Sequence, residues 1–426
     1  MTGPPRRSRR IACLSTAPWN PYLHLLYGHL ARQGFEPVED AQLSLRWLWR
    51  SHSSVGFLHL HWPEGLYRYQ RGPPRLRQLL SRVKLVLFAA RLRAARLLGF
   101  RLVWTVHQIL PHESTDRSLD RSAARLLARA ADLLVVHDRW TAEQVASELA
   151  PHPKRLAVIP HGSYLEVYAE GRPRSEVRGE LGLPADAFVF LCFGELRAYK
   201  EVELLLAAFP EVSNQNVRLV VAGNVKAPDV GATVRAASAR DPRLVSMFGF
   251  VPESRVAELF HACDAVVFPR GEPGTSGSLI LALSMERPVV AADVPTVREL
   301  TGSGKAGWLF RPHDASSLRA ALESAGADAS EARARGRRGL EIAERLDWTQ
   351  IAIEFGQTTV ERENRRNRMI GDLVGAIHGK VGDDDAVFRG GVEVDIVEAD
   401  GIAGDNPAIG ELRDGFAVDH IAGAHK

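Results

Sequence analysis

Two series of short apolar runs, each alternating with longer stretches of helical periodicity, predict an α/β protein of two Rossmann-like domains facing each other across a cleft. The strand candidates end in Gly, Pro, His or Asn, and a Gly/Pro/charge-rich join falls near Pro160–Pro184. At 426 residues, with 45% hydrophobic and 25% charged side chains, the chain is long enough for more than one core. That composition excludes whole-chain disorder and a disulfide-stapled miniprotein.

The first series places strands at Arg10–Leu14, Val55–His61, Leu102–His107, Leu133–Val136 and Leu156–Ile159, with helices at Tyr22–Gln33, Leu76–Leu98 and Ser118–Ala131. The second places strands at Phe188–Phe193, Val217–Ala222, Leu244–Phe248, Ala265–Phe268 and Pro288–Ala291. Between these lie helices such as Val202–Phe209, Arg255–Ala262 and Ser278–Ser284. The expected division is 1–163, 164–370 and an acidic extension, 371–426. That extension is Gly- and Asp-rich without helical period; its net charge is −8, against +11 for the rest.

Cys13, Cys192 and Cys263 are far apart and lack CxxC spacing, so neither a disulfide framework nor a zinc knuckle is expected, and a reducing cytoplasmic setting fits. Residues 66–101 carry ten basic side chains and no acidic one. Within them Leu79, Val83, Val86, Leu87, Ala90, Ala94 and Leu97 keep helical spacing. This basic amphipathic helix is either a domain helix with a solvated face or a contact with an anionic membrane surface. Little aromatic interleaving argues against nucleic acid, although the basic body alone would permit it.

Gly194 ends a strand, and Arg197 and Lys200 follow three residues apart, so both cations project from the start of the next helix. They form either a solvated basic turn or, with free helix amides, a diphosphate site. Later, a strand ends at Phe268, a loop passes Glu272, Gly274, Thr275, Ser276 and Gly277, and an apolar helix begins at Ser278. Small residues there let a ligand approach backbone N–H groups. Together the two segments point to a nucleotide-diphosphate site.

On the acceptor side, Trp19 and Asn20 follow the first strand, where an aromatic plane suits a sugar face or simply packs on the next helix. His59 and His61 share one face of a strand that leads into Glu64. No third ligand accompanies the pair, so no metal is expected, and His61 and Glu64 are candidates to line the acceptor cleft. His112 and Glu113 lie on a loop near His107, and His161-Gly162 reads as a hinge.

The segments FGELRAYKEVELLLAAF, LVVAGN, MFGFVPESRVAELFHACDAVVFP and TSGSLILALSMERPVVA resemble the C-terminal half of a family 4 glycosyltransferase of the GT-B fold. NPYLHLLYGHL, LHLHWPE, VWTVHQILPHE and VIPHGSY are similar to its N-terminal half. The resemblance implies sugar transfer from a nucleotide-diphosphate sugar to a glycan or lipid-linked acceptor, with retention, no metal or other cofactor, and no nucleic-acid partner. With the basic helix, which lets a cytoplasmic enzyme reach lipid-linked acceptors at the inner face of the membrane, synthesis of a cell-surface polysaccharide or glycolipid is expected. Arg197 and Lys200 match the family's diphosphate-holding pair, Ser276, Gly277 and Ser278 its phosphate loop, and His107 a histidine near the donor sugar. Many members carry two glutamates eight residues apart. Here Glu272 fits the first, and Leu281 stands where the second would contact the ribose. A sugar-nucleotide epimerase or phosphorylase on the same fold would share the phosphate site.

Overall fold

The computed structural model describes residues 9–15, 17, 20–150, 155–168 and 171–360. Trp19 and the extension 371–426 lie outside the described residues. The first half forms strands β1 (Arg10–Ser15), β2 (Glu36–Val38), β3 (Phe57–His61), β4 (Arg101–Thr105), β5 (Leu133–Val136) and β6 (Leu156–Val158). The second forms β7 (Phe188–Phe193), β8 (Val217–Gly223), β9 (Leu244–Phe248), β10 (Ala265–Phe268), β11 (Val289–Ala292) and β12 (Gly307–Phe310).

All the strand pairs are parallel, in the orders β2-β1-β3-β4-β5-β6 and β12-β11-β10-β7-β8-β9. The expected α/β architecture is thus present, and it gains β2 and β12. Both are edge strands. Glu36-Pro37-Val38 has no apolar run, and Gly307–Phe310 opens on glycine with its middle only half-buried, so neither signals itself by pattern. The orders matter for function. Each reverses direction once, between β1 and β3 in the first sheet and between β7 and β10 in the second. In open α/β sheets such switch points leave a crevice at the strands' carboxyl ends.

The central strands are buried on both faces, as the helix-covered layers of a parallel sheet require: every residue of β3, β4, β5 and β11 is buried. Residues 348–360 are helical. Trp348, Ile351, Ala352 and Phe355 join Ile11, Tyr22, Leu26 and Leu30 in a core under the first sheet, so the end of the described chain packs on its beginning. Trp348 Nε1 donates to the Ser163 carbonyl at 2.6 Å.

Its ring also covers Gly162 so closely that a Cβ there would lie 2.2 Å from Cε2. Gly162→Ala is therefore expected to displace the indole and destabilise the protein by about 1–3 kcal/mol. An unchanged melting temperature would contradict this packing argument.

The helix Pro74–Leu97 starts on Pro74, whose ring fits a first-turn position. It buries Ser81, Phe88, Leu92 and Ala95. The apolar stripe singled out from the sequence lies on a different face: Leu79, Val86 and Leu97 are 60%, 69% and 77% exposed. Among the described residues no helix is long and apolar enough to cross a membrane.

Candidate active site

The switch point of the second sheet builds one pocket. Beyond β7 the chain turns at Gly194, whose φ of +112° suits a residue without a side chain, and tightens into a short 3-10 turn, Ala198–Lys200. A Cβ on Gly194 would sit 2.9 Å from Lys200 Nζ, so the glycine also makes room for the ammonium. Beyond β10, Ser276 caps the helix Gly277–Ser284 by accepting from Leu279 N. Lys200, Arg270, Glu272, Gly274, Ser276 and Ser278 line one pocket with Cys192, Phe193 and Leu279. Lys200 makes no ion pair among the described residues. Burial, with Arg270 and Arg197 adding to it, holds its ammonium below the usual lysine pKa.

Arg197 was expected beside Lys200, but its guanidinium is engaged elsewhere. Nη1 donates to Glu113 Oε2 at 2.5 Å and Nε to Glu195 Oε2 at 2.9 Å, and the residue does not line the pocket. Arg270, which no sequence motif marks, does line it. Its Nε donates to the Glu272 carbonyl at 2.9 Å, and its Nη2 is shielded without a partner. Thr275 is likewise engaged away from a phosphate: Oγ1 donates to Asp138 Oδ2 at 2.9 Å. Gly277 faces the segment that joins the halves, with a Cβ there falling 2.9 Å from Tyr164 Oη.

Several contacts join the two halves. Besides Arg197–Glu113 and Thr275–Asp138, Glu299 Oε2 accepts from Arg139 N at 3.3 Å, and His112 stacks on Tyr199 with ring centroids 4.4 Å apart. Burial lowers the His112 pKa to about 4, so this stack is neutral near pH 7.

The first sheet contributes a cluster of histidines from the carboxyl ends of successive strands: His59 and His61 on β3, then His107, His137 and His161 just beyond β4, β5 and β6. Tyr22 sits at its centre, with ring centroids 5.7, 5.0, 5.4 and 4.8 Å from His61, His107, His137 and His161. The hydrogen bonds form a chain. His59 Nε2 meets Thr105 Oγ1 at 2.8 Å and its Nδ1 meets Tyr27 Oη at 3.0 Å. Tyr27 Oη also meets His61 Nε2 at 3.3 Å, and His61 Nδ1 meets His107 Nε2 at 3.1 Å.

His61 is therefore not an acceptor-lining residue as expected. It is fully buried with both ring nitrogens engaged, one of them on His107. Trp62 stacks on the other side of that ring at 4.0 Å. Burial pushes the pKa of each of these histidines down, that of His161 to about 3, so the cluster is neutral near pH 7. Among the described residues no group of three or more His, Cys, Asp or Glu is placed to hold a metal ion.

Asn20 also turns out to be structural, its Oδ1 capping the helix Pro21–Arg32 through Tyr22 N at 3.0 Å. Glu64 opens the short helix Glu64–Tyr67, beyond the first sheet's switch point, and Gln108 Nε2 donates to its Oε1 at 3.4 Å. Burial raises its carboxyl pKa. The sequence signal for the unexpected cluster was a histidine at or just past the end of each of β3 to β6, visible only once strand ends are aligned.

Comparison with known proteins agrees with this architecture. Residues 22–166 match the family described as Glycosyltransferase Family 4, and residues 187–328 the one described as Glycosyl transferases group 1. A GDP-mannose:glycolipid 4-beta-D-mannosyltransferase of Xanthomonas campestris pv. campestris is 32% identical over 291 residues, covering 68% of this chain and 75% of the relative. A D-inositol 3-phosphate glycosyltransferase of Streptomyces scabiei is 28% identical, covering 65% and 67%. Anabaena Alr3699/HepE in complex with UDP and glucose superposes with a TM-score of 0.64 at 19% identity, over 83% of this chain and 99% of that one. Sucrose-phosphate synthase from Thermosynechococcus elongatus gives 0.66 at 18% identity, over the same shares. With both halves matched in order and the fold shared, the chain belongs to the GT-B glycosyltransferases that join a family 4 domain to a group 1 domain.

Proposed function

We propose that this glycosyltransferase moves a mannosyl group from GDP-mannose to a glycolipid during synthesis of a cell-surface glycolipid or polysaccharide. The observation that carries the reading is Lys200, a shielded ammonium without an ion-pair partner among the described residues, beside the start of the helix Gly277–Ser284. A cation and helix amides in one pocket suit a diphosphate leaving group, whose charge grows as its bond to the sugar C1 breaks. The donor sugar and acceptor class follow the Xanthomonas relative's name. His107, held neutral by burial, would hydrogen-bond a sugar hydroxyl, and Glu272 would face the donor from its place in the pocket. Arg197 would join Lys200 only after exchanging Glu113 for phosphate. No metal is invoked, since the side-chain cation can supply the leaving-group charge.

The test is turnover of GDP-mannose with a glycolipid acceptor, against UDP-glucose and other nucleotide-sugars. Failure of every donor would overturn the reading. The family resemblance implies retention at C1. A second reading, inversion, is favoured by the relative's name, which specifies a β-D-mannosyl product. An α-linked donor yields that product by inversion, and Glu64, with its raised pKa, would be the base that takes the acceptor proton. Anomeric NMR of the first-formed product distinguishes an α- from a β-mannoside.

We also propose that the helix Pro74–Leu97 docks on an anionic membrane at the cytoplasmic face. The exposed Leu79, Val86 and Leu97 would enter the headgroup boundary, with the surrounding arginines over anionic lipid. Cosedimentation with vesicles containing anionic lipid is expected at low salt and is lost at high salt or in Leu79→Ser/Val86→Ser. Absence of binding at low salt would refute it.

A further inference from the structure

We infer that Arg270, delivered from the β10 side of the switch point, is the second cation on the donor diphosphate, opposite Lys200 from the β7 side. This rests on the nucleotide-sugar reading above and names a residue that the family resemblance does not. Arg270 stands two residues beyond β10, on the loop that leads to Ser276, and lines the pocket with Lys200, Ser276 and Ser278.

Its guanidinium is held in place without being neutralised. Nε donates to the Glu272 carbonyl, and the Tyr199 ring lies 5.9 Å from the guanidinium carbon. No carboxylate forms an ion pair with it among the described residues, and Nη2 is shielded from solvent with no hydrogen-bond partner. An orphaned, shielded N–H on a cation is costly unless a ligand meets it. Two such cations in one pocket also repel each other, which an anion between them relieves.

Gly274 is the independent sign that this placement is built. Its φ is +150°, and a Cβ there would fall 2.3 Å from Arg270 Nη2. The chain therefore uses glycine where the guanidinium comes closest. Arg197, by contrast, already has Glu113 and Glu195. The free Arg270 fork matches the paired oxygens of a phosphate better than an ammonium does.

The experiment compares binding of GDP, UDP, GMP and inorganic pyrophosphate to the full chain and to Arg270→Gln and Arg270→Lys. Glutamine retains a polar tip that can still reach the Glu272 carbonyl, so the loop keeps its anchor, and thermal melts monitor folding. The expected result is a 10- to 100-fold loss of diphosphate affinity in Arg270→Gln, less than threefold for GMP, and partial recovery in Arg270→Lys. Equal losses for pyrophosphate and nucleoside diphosphate identify the diphosphate itself as the ligand; a loss for pyrophosphate alone would mean a free-phosphate site and overturn the inference. Undiminished nucleoside-diphosphate binding by Arg270→Gln would also overturn it. If the wild-type chain bound no nucleoside diphosphate, the nucleotide-sugar reading itself would fall.

Discussion

Lys200→Ala is expected to lower kcat with the physiological donor by about 10²–10³-fold, the usual cost of removing one preorganised group from a developing negative charge. The ammonium sits in a shielded pocket and makes no ion pair among the described residues that would disperse its charge. Its attraction for the leaving diphosphate is therefore weakly screened and grows along the reaction coordinate. Because the departing diphosphate carries more charge than the bound donor, the loss should fall mainly on kcat, with a smaller rise in KM. Lys200→Met, which keeps the aliphatic stem, should behave like the alanine variant. Steady-state kinetics at saturating donor check this; a kcat within a few fold of wild type would remove Lys200 from the reaction.

Acidification is expected to destabilise the first half steeply between pH 6.5 and 5. His59, His61, His137 and His161 are buried and held neutral, the last with a pKa of about 3. Once unfolded, each would bind a proton near the ordinary imidazole value of about 6.5. Below that value the unfolded chain binds more protons than the folded one, so stability falls as the pH drops. At pH 5 the linkage amounts to about 2 kcal/mol for each fully neutral histidine. Together they approach the whole stability of an ordinary domain, roughly 5–15 kcal/mol. Urea unfolding at pH 7.5, 6 and 5 measures this. His137→Gln, whose side-chain amide can replace the Nδ1 donation to the Ile159 carbonyl, should reduce the pH dependence by about one proton. A midpoint constant from pH 7 to 5 would contradict the buried, neutral cluster.

The inner strands were legible because burial on both faces demands continuous apolar runs, such as Phe188–Phe193 and Leu133–Val136. The strands β2 and β12 were not, since Glu36-Pro37-Val38 is largely exposed and broken by proline and Gly307–Phe310 opens on glycine and is half-buried at its centre. Lys200 and the Ser276–Ser278 loop could be placed from sequence because each lies just past a strand, where topology fixes its position. Arg197 illustrates the limit of spacing. Three residues from Lys200, it turns to Glu113, a carboxylate 84 positions earlier that only folding brings near.

The order of runs and the glycine-punctuated strand ends determined by themselves that this chain is an α/β protein of two parallel sheets, because those features follow from local backbone and burial rules. Only the tertiary structure decided that Arg197 pairs with Glu113 while Arg270 lines the pocket, and that the histidines form one linked cluster held neutral by burial. Ion pairing and desolvation depend on distances between residues remote in sequence, and no local pattern encodes those distances.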